Sequence, residues 1–161
     1  PGDLYDVNGV KGVVFYVDET GTSGLIMSMD QEFLQWSTEY AWVNCVTNRG
    51  DWHTEDMLKL GADKYPAAKW CADHGEGWYF PSSHEMQLMW DAVSDGKHVF
   101  DGEFVKLYND KLDDPIVEDY YWSSNETSET MAEVVVFINN SVICLDPIKD
   151  KPFYVRAVHK F

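Results

Sequence analysis

The segment Gly77–Met86 has the sequence GWYFPSSHEM and joins an aromatic run to the start of a helix. Ser82 and Glu85 stand three residues apart, which is the spacing of a capping box. Beyond them, apolar residues recur three and four positions apart until Gly96. These residues are Met86, Met89, Trp90 and Val93. The pattern predicts an amphipathic helix whose methionine and tryptophan stripe packs in the core.

Working outward from this helix, apolar and β-branched runs bounded by turn residues predict two hairpins and a closing strand. The predicted strands are Val13–Val17, Leu25–Met29, Glu133–Ile138, Val142–Leu145 and Phe153–Val158. Further helices are expected after Thr54, a good N-cap, and from Pro66, which is favoured at a first helical position. The polar and aromatic residues 30–51 predict a long loop. We therefore expect one α+β domain over residues 1–161, with antiparallel hairpins, two or three helices and long loops.

The charge balance excludes several classes of partner. The chain has 161 residues, with 12 Lys and Arg against 28 Asp and Glu, for a net charge of −16. A surface this negative repels phosphate backbones and anionic lipid surfaces, so no nucleic-acid partner is expected. No apolar run approaches the roughly 20 residues that span a bilayer, so no membrane insertion of this segment is expected. The oligomeric state stays open.

The chain has three cysteines. Cys45, Cys71 and Cys144 are too few and too scattered for a disulfide framework or a zinc site. Cys71 and Cys144 lie in apolar patterns, which favours buried, inert thiols.

The sequence begins at Pro1, without an initiator Met or a signal peptide, so we expect a processed segment whose targeting sequence has been removed.

Five segments in order resemble one family of bacterial surface domains. The Gly-Trp-aromatic-x-Pro-Ser run within Gly77–Met86 resembles the Legionella collagen-like protein C-terminal domain family (Lcl_C), which is related to the major paralogous surface domains. The Tyr-Trp-Ser-Ser run within Tyr121–Glu126 is similar to a second motif of that family. Its strands resemble Gly9–Phe15, Ala132–Phe137 and Val155–Val158.

The resemblance implies a C-type-lectin-like architecture. In that fold the first and last strands pair, which here predicts pairing of Val13–Val17 with Phe153–Val158. Two helices flank these strands, and long loops carry the ligand surface. It also implies an extracellular or cell-surface protein, of lipoprotein type, anchored in a Gram-negative outer membrane through the removed N-terminal segment. Surface adhesion and ligand binding are the roles usually inferred for the family.

The candidate ligand site combines aromatic faces with hydrogen-bonding groups. Sugar recognition needs flat apolar surfaces together with amides and carboxylates for the hydroxyls, and a peptide or surface protein is an alternative ligand. The alternative for the second motif is that Tyr121 and Trp122 begin a core strand. The candidate residues are Tyr121, Trp122, Ser123, Asn125, Glu126, Asn139, Asn140, Trp36 and Trp42.

Calcium is the one metal for which the sequence offers a candidate, although no cofactor is expected. Asp110, Asp113 and Asp114 supply the oxygen ligands that calcium prefers. The Glu-Pro-Asn, Gln-Pro-Asp and Trp-Asn-Asp tripeptides of calcium-dependent lectins are missing from the sequence. A solvated acidic loop is the alternative for this cluster.

No sequence motif indicates catalysis, because the chain has neither a Gly-x-Ser-x-Gly elbow nor a phosphate-binding loop. We therefore expect a non-catalytic ligand-binding or adhesion domain of a bacterial surface protein. Two alternatives remain open. One is an enzyme related to formylglycine-generating enzymes, which use a pair of cysteines, and the other is a subunit of a surface fibre that takes up a partner strand at a sheet edge.

Overall fold

A computed structural model of the chain describes residues 1–94, 102–138 and 141–161. These residues form an α+β fold with two five-stranded sheets and four α-helices. The strands are β1 (Leu4–Val7), β2 (Val10–Val17), β3 (Gly24–Met27), β4 (Glu32–Gln35), β5 (Trp78–Tyr79), β6 (Tyr120–Glu126), β7 (Ala132–Ile138), β8 (Ser141–Leu145), β9 (Pro152–Val155) and β10 (Val158–Lys160). The helices are α1 (Gly50–Gly61), α2 (Pro66–Ala72), α3 (Ser83–Val93) and α4 (Glu103–Asn109).

Helix α3 begins at the predicted capping box. The Ser82 hydroxyl accepts from the Glu85 backbone N–H at 3.3 Å, and the Glu85 carboxylate accepts from the Ser82 N–H at 2.8 Å. The apolar stripe of the helix is fully buried, as predicted. The expected end of the helix at Gly96 lies outside the described residues. The four stripe residues are Met86, Met89, Trp90 and Val93.

The two predicted hairpins are confirmed, and each lies in a different sheet. The first sheet has the order β1-β2-β3-β10-β5 and contains the β2–β3 hairpin. The second has the order β4-β9-β6-β7-β8 and contains the β7–β8 hairpin. Its β6–β9 pair is parallel, whereas the remaining pairs of both sheets are antiparallel.

The predicted closing strand Phe153–Val158 is instead two strands, and the predicted pairing of the terminal strands is wrong. β9 lies in the second sheet and β10 in the first. Strand β3 separates β2 from β10, since Val13 and Val158 both stand opposite Met27. β3 follows β2 through a short turn and therefore takes the place beside it.

Arg156 holds the chain where it crosses between the sheets. The side chain is fully buried, and its guanidinium donates to the Ser28 carbonyl at 2.7 Å, the Gln31 side-chain oxygen at 2.8 Å and the Asp114 carbonyl at 2.7 Å. Because a buried guanidinium must be hydrogen-bonded, these three acceptors fix the position of residue 156. The strand ladder is therefore interrupted there.

The sheets form a middle layer with an apolar cluster on each face. One cluster contains the buried stripe of α3 together with Val13, Tyr121 and Phe137. The other contains residues of α1 and α2 together with Ile26 and Trp122. Strand β6 contributes to both clusters because neighbouring side chains point to opposite faces of a sheet. Helices therefore cover this part of the second sheet on both faces.

The described residues contain more helix than predicted. Helix α4 lies in an acidic segment where no helix was predicted, and it buries Tyr108 while Phe104 and Leu107 stay exposed. Helix α1 begins at Gly50 rather than after Thr54. The Thr54 hydroxyl instead donates to the Gly50 carbonyl at 2.8 Å within the helix. Among the described helices, none combines the length and the apolar character needed to cross a membrane.

Candidate functional site

The predicted aromatic and polar ligand surface on β6 is buried. Tyr121 and Trp122 are 0% exposed, and Ser123, Asn125 and Glu126 are also buried. Tyr121 stacks on Phe137 in the α3 cluster, whereas the Trp122 ring lies on the opposite face. The expectation that these residues face a ligand is wrong, because β6 lies between β9 and β7 and both of its faces are covered. Tyr121 and Trp122 therefore belong to a core strand.

The polar end of β6 anchors the loop that follows β4. One oxygen of the Glu126 carboxylate accepts from the backbone N–H groups of Val43 at 2.7 Å and Cys45 at 3.0 Å. The other lies 2.6 Å from the Lys149 ammonium, and both side chains are fully buried. Lys149 also donates to the Ala41 carbonyl at 2.9 Å. We call residues 36–49 the anchored loop, because this buried ion pair holds its backbone at residues 41–45.

Between Tyr40 and Val46 the anchored loop presents every second side chain to solvent. Ala41, Val43 and Cys45 point inward, whereas Tyr40 and Trp42 point outward, as do Asn44 and Val46. Tyr40 is 53% exposed, Trp42 45% and Val46 54%. Trp36, the first residue of the loop, is fully buried beneath it. Of the three tryptophans predicted as ligand-binding, Trp36, Trp42 and Trp122, only Trp42 is available at the surface.

A buried histidine joins the anchored loop to β6. The Thr47 N–H donates to Nε2 of His53 at 3.2 Å, so Nδ1 carries the proton and donates to the Ser124 hydroxyl at 2.8 Å. A nucleophilic serine gives its proton to a histidine base, whereas here the histidine donates to the serine. Burial lowers the pKa of His53. This pair is thus arranged as a structural hydrogen bond.

The remaining predicted site residues do not converge. Asn139 and Asn140 lie outside the described residues. Asp113 and Asp114 donate their backbone N–H groups to the Met29 carbonyl, and an Asp114 carboxylate oxygen accepts from the Gln31 N–H. Across residues 1–94, 102–138 and 141–161, no three His, Cys, Asp or Glu side chains are grouped closely enough to hold a metal ion. Asp110, Asp113 and Asp114 therefore do not form a calcium cage.

The three cysteines are free. Cys45 and Cys71 are buried, and burial raises the pKa of both thiols. Cys144 is exposed on β8, which corrects the expectation that it is buried, and partial burial still raises its pKa. Thiols with raised pKa values are poor nucleophiles at neutral pH.

A cleft of about 450 Å³ lies at the end of the anchored loop. It is bounded by the β2–β3 hairpin, the start of α3 and the C-terminal residues. Its apolar wall is formed by Tyr16, Leu25, Leu88 and Phe161. Its polar wall is formed by Asp18, Ser23, Asn48, Arg49, His84, Glu85 and Lys160. We call this the Arg49–Lys160 cleft.

The two cations of the cleft are held in place by one carboxylate. Arg49 binds Asp51 through two hydrogen bonds of 2.9 and 2.6 Å, and the Lys160 ammonium lies 2.8 Å from the same carboxylate. The Arg49 guanidinium also lies 4.1 Å above the ring of Trp52. These contacts hold the pKa of Asp51 well below its usual value, chiefly through the hydrogen bond with Arg49. Sequence reasoning missed this site, because Lys160 joins it from 109 positions away.

Comparison with known proteins identifies a fold but no family. No family model matches the chain, and no curated protein matches it. The crystal structure of a fimbrial protein from Bacteroides ovatus ATCC 8483 is similar, with a TM-score of 0.63 and 18% sequence identity. The similarity covers 86% of this chain and 36% of that protein, so the chain spans about a third of its length. At this identity the likeness shows a shared fold alone.

Proposed function

We propose that this chain is a non-catalytic ligand-binding module displayed at the surface of a bacterium. The observation that carries the proposal is the anchored loop. Its backbone is fixed by the buried Glu126–Lys149 pair, while Tyr40, Trp42 and Val46 stand outward. Aromatic side chains on a preorganised loop bind ligands with little loss of conformational entropy. The ligand is a glycan or a surface protein.

The surface location and the lectin-like relationship belong to the same proposal. The fold resembles that of a fimbrial protein, which supports a surface role. We propose that the fold is C-type-lectin-like and related to the Lcl_C family. In this chain β3 lies between β2 and β10, the strands expected to pair. We also propose that the native protein is a lipoprotein of the outer membrane. Cleavage by a protease added to intact cells tests the location, and a chain protected until the cells are lysed contradicts it.

The absence of catalysis is also a proposal. It is supported by the raised pKa values of the cysteines and by the direction of the His53–Ser124 hydrogen bond. An enzyme of the formylglycine-generating type needs two converging thiols, whereas Cys71 is buried in α2 and Cys144 is exposed on β8. Conversion of any ligand bound by the chain, followed by mass spectrometry, would contradict this part of the proposal.

Ligand binding is tested on immobilised mucin and on an oligosaccharide array. We expect the chain to bind at least one of these probes, and we expect Trp42→Ala to weaken binding about tenfold, as for an aromatic side chain at the centre of an interface. Phe104→Ala is the matched control, since Phe104 is 46% exposed on α4, away from the loop. Equal losses in the two variants, or no binding by the unmodified chain, would contradict the proposal.

A second candidate function is that of a fibre subunit, which the likeness to a fimbrial protein favours. Strand β8 is one of the two edge strands of the second sheet, and its Ile143 and Leu145 are exposed. An edge of this kind takes up a strand from a partner. Light scattering at increasing concentration tests it, with Ile143→Lys expected to prevent assembly. A chain that stays monomeric at every concentration contradicts this candidate.

A further inference from the structure

The Arg49–Lys160 cleft combines apolar and polar surface in one lining. Tyr16 and Phe161 provide aromatic surface, and Leu25 and Leu88 add aliphatic surface. Polar side chains with both donors and acceptors complete the lining. The ring of a sugar has the same two characters, because its C–H faces are apolar and its hydroxyls both donate and accept hydrogen bonds. The cleft volume of about 450 Å³ falls in the range of small-molecule sites.

The polar groups of the cleft are positioned before a ligand arrives. Arg49 is fixed by its two hydrogen bonds to Asp51 and by the ring of Trp52. Lys160 is fixed by the same carboxylate. Because the side chains are already ordered, binding a ligand loses less conformational entropy there.

The apolar wall depends on a close backbone approach at Gly24. A Cβ at this position would clash with the Tyr16 carbonyl oxygen and would lie 2.6 Å from a ring carbon of Phe161. Residues 24 and 161 also exchange two backbone hydrogen bonds, of 3.0 and 3.1 Å. The C-terminal residue is therefore held in the cleft wall by the β2–β3 hairpin.

The charges at the cleft oppose an anionic ligand. The lining includes two cations, Arg49 and Lys160, and two carboxylates, Asp18 and Glu85, and Asp51 adds a third carboxylate beside the cations. The local balance is negative, and the whole chain carries −16. An acidic sugar would approach against this field, whereas an uncharged sugar would not.

The carboxylates of the cleft already have partners. Asp51 binds Arg49 and Lys160, and Glu85 accepts from Ser82 and from the Tyr79 hydroxyl. The Asp18 carboxylate accepts from Thr20 and Gly21 within its turn. A divalent cation would have to displace these contacts to gather oxygen ligands here.

We propose that the Arg49–Lys160 cleft binds an uncharged sugar residue without a divalent cation. The proposal goes beyond the anchored loop, and it rests on the proposed function only in that the chain binds ligands rather than converting them. The sugar lies with one C–H face on Tyr16, while its hydroxyls meet Arg49, Lys160 and Asn48.

The test measures binding of neutral oligosaccharides ending in glucose, galactose, mannose or N-acetylglucosamine, and of acidic ones ending in sialic or glucuronic acid. Binding of at least one neutral probe is expected, unchanged by EDTA and nearly independent of salt. Tyr16→Ala should weaken it roughly fivefold to tenfold, the range for loss of an aromatic contact. Ser23→Trp fills the mouth of the cleft from an exposed position and should abolish it.

Controls separate this proposal from the proposed function. Phe104→Ala, an exposed aromatic substitution on α4, should leave neutral-sugar binding unchanged, and circular dichroism should show all variants folded. Tighter binding of the acidic probes, loss of binding in EDTA, or a loss only in Trp42→Ala would overturn the cleft as the sugar site. If no sugar binds while mucin binding persists, the cleft proposal fails and the proposed function stands.

Discussion

Strand β6 and the anchored loop have similar compositions and opposite environments. Each contains tyrosine, tryptophan and asparagine, and both are polar enough to suggest a ligand surface. Strand β6 lies between β9 and β7 in the second sheet, so both of its faces are buried. The anchored loop lies over that sheet and is held by Glu126 of β6 itself. Composition alone therefore does not separate a binding surface from the strand that supports it.

The largest difference is expected between two tryptophan substitutions. Trp122→Ala removes a fully buried ring and its hydrogen bonds to the Leu34 and Lys151 carbonyls. We expect it to lower the free energy of unfolding by about 5 kcal/mol, at the upper end of such core truncations. Urea unfolding measures this loss. A loss below about 1 kcal/mol would mean that the Trp122 site is not a packed core.

The next effect concerns the support of the anchored loop. Lys149→Met removes the cation but keeps most of the volume, and it leaves the Glu126 carboxylate buried without its partner. We expect a loss of about 3 kcal/mol, together with faster amide exchange at residues 41–45. Lys59→Met is the control, because its ion pairs with Glu55 and Asp56 are exposed. Equal losses in both variants would show that the buried pair does not hold the loop.

A smaller effect is expected from pH at the junction between the loop and β6. Burial lowers the pKa of His53 below its ordinary value of 6.5. As the pH falls through that value, the unfolded chain binds a proton that the folded chain does not, so the free energy of unfolding falls. Urea unfolding at about pH 7.5 and 5.5 should show a smaller decrease in His53→Gln than in the unmodified chain. The same decrease in both chains contradicts this assignment.

The smallest effect on stability is expected at the loop surface. Trp42→Ala truncates a side chain that is 45% exposed, so the free energy of unfolding should change by less than about 0.5 kcal/mol. The same urea titrations measure it. A loss of several kcal/mol would mean that Trp42 is part of the core and is not available to a ligand.

The sequence predicted those elements whose signals are local. The Ser82–Glu85 capping box and the apolar stripe after it predicted α3, and the apolar and β-branched runs bounded by turn residues predicted both hairpins. Helix α4 was missed because apolar residues lie on both of its faces. Phe104 and Leu107 face solvent whereas Tyr108 is buried, so the sequence shows no single apolar stripe.

The candidate sites depended on contacts between distant parts of the chain. Glu126 and Lys149 are 23 positions apart, and nothing local indicates that they pair. Arg49 and Asp51 stand together in the sequence, but their pairing with each other and with Lys160 depends on the folded positions of α1 and β10. Arg156 within the apolar run Phe153–Val158 was the one visible sign that this strand is interrupted.

Hydroxyl-radical footprinting of the native chain, with oxidation measured at each tryptophan by mass spectrometry, compares the two regions most directly. Trp42 of the anchored loop and Trp52 of α1, an exposed reference, are 45% and 53% exposed, whereas Trp122 of β6 and Trp36, a buried reference, are 0% exposed. We expect the first pair to be oxidised several-fold faster than the second while the chain stays folded. Oxidation of Trp122 as fast as that of Trp42 would contradict the assignment of β6 to the core and of the anchored loop to the binding surface.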